Sequence, residues 1–206
     1  MNNRFKARIS FFAYIALLFT LDNYYSFMIF NLFLAFAALE LSFLLPLFKS
    51  HKKRNMLVSF VFFIVFILLS PNVFYVVTDL IHLNFFSFDY MEGLHVNEWW
   101  NFFVLISGVF IALFFYIVMI KEIQLLLINT KWNKLILLVF MLLGGLGIYI
   151  GRFLRFHSIH LFTEPLSLLK QVLDSLNGNS LLFILWMSVL QFIVYWFFVD
   201  SKRNEA

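Results

Sequence analysis

Four polar residues interrupt an apolar run in "SPNVFYVVTDLIHL": Asn72, Tyr75, Asp79 and His82, at intervals of three, four and three. Read as an α-helix, that spacing puts all four on one stripe. An aspartate and a histidine one turn apart can exchange protons near neutral pH, which makes Asp79 and His82 the candidate catalytic acid and base. Farther along, "GRFLRFHSIH" sets Arg152 and Arg155 at i, i+3. Two guanidinium groups so spaced can hold a phosphate or carboxylate through paired hydrogen bonds, so these are the candidate anion-binding residues. Asn31, Asn72, Tyr75, Thr78, Asn101 and Ser158 are the supporting polar groups.

Three chemistries fit this constellation. Asp79 can pair with Arg152 or Arg155 as a structural lock across two helices, because a charge near hydrocarbon needs a partner. Two arginines against one aspartate leave a positive charge over, which suits an anionic envelope or lipid-linked ligand, with or without catalysis. The third chemistry is a metal held by Asp79, His82, His157 and His160, since D-x-x-H and H-x-x-H each offer two ligands one turn apart. The pairs have no fixed mutual distance in the sequence, so the primary reading carries no metal and no cofactor.

The elements that must position these residues follow from composition. The chain has 206 residues, 63% of them hydrophobic and 13% charged, with a mean hydropathy of +0.92. Those values belong to the membrane class. Apolar windows bounded by charge predict six spans, approximately Ile9–Leu21, Phe27–Phe48, Met56–Leu83, Asn101–Ile120, Leu135–Ile150 and Leu181–Val199. Pro71 predicts a kink in the third span and a carbonyl left open near Ile67. Gly144, Gly147 and Gly151 share a face of the fifth span, where small residues let helices approach closely. Between spans five and six, Leu166, Leu169, Val172, Leu173 and Leu176 oppose Lys170, Gln171 and Asp174. This segment reads as a short amphipathic helix in the outer interface.

The formal net charge is +4, yet the basic residues are distributed as a topology signal and do not form a nucleic-acid surface. Arg4, Lys6 and Arg8, then "KSHKKRN", then Lys121, Lys131 and Lys134, then Lys202 and Arg203 fall at alternate span ends. The positive-inside rule then predicts both termini in the cytoplasm and the Asp79 and Arg152 level outside. Glu40, inside the cytoplasmic end of span two, is expected to snorkel, pair with a lysine or be carried protonated. Trp99-Trp100 suits the headgroup level. Cysteine is absent, which excludes disulfides and thiol chemistry. No Gly-rich phosphate loop, G-x-S-x-G or H-E-x-x-H motif is present. The expectation is a single all-α integral membrane domain over residues 1–206, multi-pass in a bacterial plasma membrane, with the bilayer as its partner.

The segments "SPNVFYVVTDLIHL", "WWNFF" and "GRFLRFHSIHLF", in that order, resemble the bacterial integral membrane family catalogued as domain of unknown function 1361, over about residues 27–165. The resemblance implies a bacterial multi-span protein and points to no particular activity. It directs attention to Pro71, Asn72, Tyr75, Thr78, Asp79, His82, Gly151, Arg152, Arg155 and Ser158. This chain departs from the family pattern at His157 and His160, where Asn and Asp are expected, and at Asn101, where an acid is expected. The missing acid makes its site more positive.

Overall fold

The computed structural model describes residues 2–21, 25–48, 56–85, 93–128, 130–154 and 165–200, and among them there is no strand. Helix α1 spans Asn3–Phe19, begun by Asn2, whose side chain accepts a bond from the Arg4 N–H at 3.2 Å. Helix α2 spans Ser26–Ser42, and a single turn, α3, spans Leu45–Phe48. The predicted second span ran unbroken to Phe48. Pro46 explains the break, because its ring cannot follow the Ser42 turn and it has no N–H to give.

Helix α4 (Met56–Leu69) continues through α5 (Pro71–Tyr75) into a 3₁₀-helix over Val76–Phe85. Pro71 opens the ladder as expected. The freed Ile67 carbonyl accepts the Ser70 hydroxyl at 2.9 Å, and the Asn72 amide donates to the Leu69 carbonyl at 2.9 Å. Ten residues of 3₁₀-helix is an uncommon length. Helix α6 spans Val96–Leu126. Helix α7 spans Asn133–Tyr149 and ends in a π-turn over Ile150–Leu154. The predicted amphipathic helix is present as α8, Pro165–Ser175, with Leu166 and Leu173 exposed and Val172 buried. Helix α9 spans Gly178–Tyr195, started by a reciprocal cap between Asn177 and Ser180.

Among the described residues four helical rods are long and apolar enough to cross a membrane: Met56–Phe85, Val96–Leu126, Asn133–Leu154 and Gly178–Val199. Helix α2, with 17 residues, is a shorter apolar helix. Helix α1 is also 17 residues long and carries Arg4, Lys6 and Arg8 in its first turns.

Contacts fix the direction of each helix against its neighbours. Gly147 meets Pro71 and Gly151 meets Tyr75, a step of four on both rods, so α7 runs parallel to α4–α5. Helix α9 is antiparallel to α7: Gln191 donates to the Met141 carbonyl at 3.2 Å, while Phe183 packs on Tyr149 and Phe153. Helices α1 and α2 are antiparallel, with Arg8 on Glu40 near one end, the Phe11 and Phe36 rings stacked at 4.1 Å, and the Tyr14 hydroxyl on Met28 toward the other. The core lies along α6, where Val104, Leu105, Ala112, Phe115, Tyr116 and Met119 are buried. Helix α6 packs on α1, α2, α5, α9 and the 3₁₀-helix. In a bilayer such packing and interhelical hydrogen bonds hold helices together, because lipid tails are as apolar as leucine.

Candidate functional site

The site begins with the change from α to 3₁₀ geometry at Val76. Side chains at i and i+3 eclipse in a 3₁₀-helix, so Val76, Asp79, His82 and Phe85 form one column. The predicted stripe therefore divides. Asn72 turns back to its own backbone, and Tyr75 and Thr78 lie on the flank nearer α7. Asp79 has no exposed side-chain surface, which demands partners for both oxygens.

Both oxygens are met from other helices. Asn31 of α2 donates its amide to Oδ2 at 2.8 Å, and Arg152 donates Nη1 to Oδ1 at 3.3 Å. The guanidinium also gives Nη1 to the Tyr75 hydroxyl at 3.3 Å and Nη2 to the Thr78 carbonyl at 2.6 Å. Its carbon lies 5.4 Å from the centre of the Tyr75 ring, within cation–π range. Arg152 sits in the π-turn that ends α7, an irregularity often found at functional positions. With 18% of its side chain exposed, it is mostly enclosed by the residues it binds.

His82 occupies the next step of the column. Its Nδ1 lies 2.9 Å from the Asp79 carbonyl oxygen and 3.9 Å from Asp79 Oδ1. A carbonyl can only accept, so the nearer contact is a hydrogen bond when Nδ1 carries the proton. Nε2 is then the nitrogen left to meet a partner, as an acceptor in the neutral ring and a donor in the charged one. The ring stacks on Phe27 at 4.0 Å between centroids and keeps 20% of its surface exposed. Helix α2 thus offers Phe27 and Asn31, one turn apart, to His82 and Asp79 in antiparallel order.

The structure brings Asn31, Tyr75, Thr78, Asp79, His82 and Arg152 together. Asn101 accepts a hydrogen bond from the Tyr25 hydroxyl. Asn72 serves the kink. Arg155, His157, Ser158 and His160 lie outside the described residues, as does half of the four-residue metal set. Among the described residues no three His, Asp or Glu side chains gather as metal ligands. Phe27 was not singled out from the sequence; its only signal was its place four residues before Asn31. Nearer the other end of α2, Glu40 takes a two-pronged bond from Arg8, 2.7 Å on each side, and a longer one from Arg4 at 3.4 Å. Arginines of α1 fill the role expected of a lysine.

A family model described as "Protein of unknown function (DUF1361)" matches residues 30–194. The chain belongs to that family. No curated protein and no solved structure matches it.

Proposed function

We propose that this member of the family is a six-span protein of the bacterial plasma membrane, with both termini inside, that binds an anionic phosphate or carboxylate group at the Asp79–His82–Arg152 site on the outer side. Asp79 and Arg152 neutralise each other there and act as the frame. Arg155, three residues after Arg152 in the sequence, is the second cation of this proposal, and His82 supplies the polar edge that meets the anion. The observation that carries this reading is the arrangement of His82. Its Nδ1 is bonded to the Asp79 carbonyl and its ring is pinned by Phe27, while a fifth of its surface stays open. A histidine held so firmly has one nitrogen left to meet a partner. The same nitrogen could pass a proton to or from that partner, the catalytic form of the proposal.

The test is the unfolding midpoint of the purified chain in neutral detergent, with inorganic phosphate, acetate or chloride at equal ionic strength. An anion that binds the folded state raises the midpoint, by an amount that grows with the logarithm of its concentration once that exceeds Kd. Phosphate or acetate stabilises the parent chain and not His82→Gln. Equal midpoints in all three salts refute the reading.

A second reading is favoured by the three protein acceptors that the Arg152 guanidinium already meets. It makes the site a lock within a non-catalytic assembly or partner subunit. The exchange Asp79→Arg with Arg152→Asp discriminates: recovery of both folding and phenotype supports the lock, and recovery of folding alone supports a ligand. A small-anion transporter predicts flux in vesicles, and the chain lacks the internal repeat common in such folds.

A further inference from the structure

We propose that Val76–Phe85 is a two-state element. A clasp from α2 holds it in the 3₁₀ form, and release of the clasp lets it wind into α-helix, so the position of α2 decides which flank of the rod His82 serves. The change needs no ligand and is independent of the anion-binding reading.

Backbone chemistry is the first support. A 3₁₀-helix has poorer hydrogen-bond geometry than an α-helix, and runs beyond about four residues are uncommon, yet this one has 10 residues. Nothing within it demands that form. The segment "VVTDLIHLNF" holds neither proline nor glycine, and no residue in it is barred from an α-helix. The cause must therefore come from outside, and α2 supplies it. Asn31 donates to Asp79 Oδ2 at 2.8 Å, and the Phe27 ring stacks on His82 at 4.0 Å. These two grips come from one helix, one turn apart, and they fall on Asp79 and His82 of a single 3₁₀ column.

Geometry supplies the second state. An α-helix turns about 100° per residue and a 3₁₀-helix about 120°, so each step beyond Tyr75 differs by about 20° between the two forms. Tyr75 is the fixed point, because its ring packs on Gly151 of α7 and lies beside the Arg152 guanidinium. In the 3₁₀ form Asp79 and His82 stand about a third of a turn from Tyr75, toward α2. Wound as α-helix, Asp79 stands about 40° from Tyr75 and His82 about 20° from it on the other side. Both then face α7. Asp79 leaves Asn31 but stays beside Arg152, so its charge is never alone in the span. His82 leaves Phe27, joins the flank of Tyr75 and Arg152, and drops about 3 Å along the rod. The stripe of Tyr75, Asp79 and His82 legible in the sequence is the polar face of this α form, and the column of Asp79 and His82 is that of the 3₁₀ form.

The experiment is solution NMR on the purified full-length chain, isotope-labelled in detergent micelles. Cross-peaks from an α-proton to the amide proton two residues on mark 3₁₀-helix, and those to the amide four residues on mark α-helix. The parent chain shows the first set across Val76–Phe85, and its His82 ring protons carry the upfield shift of a ring stacked on Phe27. Asn31→Ala removes the donor to Asp79 and leaves Phe27 in place. It raises the ratio of α to 3₁₀ form on the order of tenfold, and the imidazole protons lose their upfield shift although Phe27 is still present. Phe27→Leu keeps both partners of Asp79 and raises the same ratio several-fold, so it decides alone if Asn31→Ala does not fold. An unchanged 3₁₀ pattern in Phe27→Leu overturns the two-state element. So does a folded Asn31→Ala whose imidazole shifts stay at their parent values, or an α pattern in the parent chain.

Discussion

Removing Arg152 should harm the protein more than removing Asp79, although the two form one ion pair. In Arg152→Gln, Asp79 stays fully buried with the Asn31 amide as its remaining hydrogen bond and His82 Nδ1 3.9 Å away, and the Thr78 carbonyl loses its 2.6 Å donor. Deleting one partner of a buried pair costs about 3–5 kcal/mol, because the other charge stays behind without water. In Asp79→Asn the shape is kept, and Arg152 retains Tyr75 and Thr78. With 18% of its side chain exposed it also keeps an edge toward its surroundings, so the expected loss is about 1–3 kcal/mol. The double variant no longer buries an orphaned carboxylate, and it should fall short of the summed single losses by about 1–3 kcal/mol. Equilibrium unfolding in mixed micelles, followed by helical signal, measures all four corners of the cycle. Additive losses, or Arg152→Gln no worse than Asp79→Asn, would refute the claim that Arg152 neutralises Asp79 within the protein.

Close packing of α7 makes a graded glycine series. A Cβ at Gly147 would lie 2.5 Å from the Pro71 ring, one at Gly151 3.3 Å from Tyr75, and one at Gly178 meets nothing within 4 Å. Thermal melts should therefore show Gly147→Ala losing about 1–3 kcal/mol, Gly151→Ala less, and Gly178→Ala almost nothing; any other order contradicts the parallel packing of α7 on α5. The absence of cysteine lets single introduced thiols report topology. With a membrane-impermeant maleimide on intact cells, His95→Cys should label directly and His51→Cys only after permeabilisation. The reverse pattern would move the site to the cytoplasmic face.

The polar cluster was legible because charge inside an apolar sequence is rare and expensive. Asp79 and Arg152 stood out for that reason, and counting rise along their helices put both toward the same end of their spans. Their immediate neighbours were less readable. Phe27 is one of 31 phenylalanines, so nothing in its type separates the ring that stacks on His82 from those that face lipid. The 3₁₀ geometry was hidden too, since a stripe at three, four and three satisfies an α-helix well. Only the structure separates Asn72, which serves the proline kink, from the column of Asp79 and His82. Asn101 and Glu40 illustrate another limit. A polar residue in a span announces that it needs a partner, but the partner's identity depends on helix order and rotation. Helix order gave Asn101 to Tyr25 and Glu40 to the arginines of α1.

The seat of Pro71 against Gly147 acts as a detent that sets how high one rod stands beside the other. Asp79 rises about 14 Å above Pro71, partly in 3₁₀ turns, while Arg152 rises only about 7 Å above Gly147. The cation must make up the difference with its own side chain, so position 152 calls for a long stem. The head must then divide its N–H groups among a carboxylate, a carbonyl and a phenol. A lysine has the reach but presents a single point charge, without the planar fork that serves three acceptors at once. The choice of arginine is thus dictated from lower on the rod, by a glycine with no side chain and a proline with no N–H.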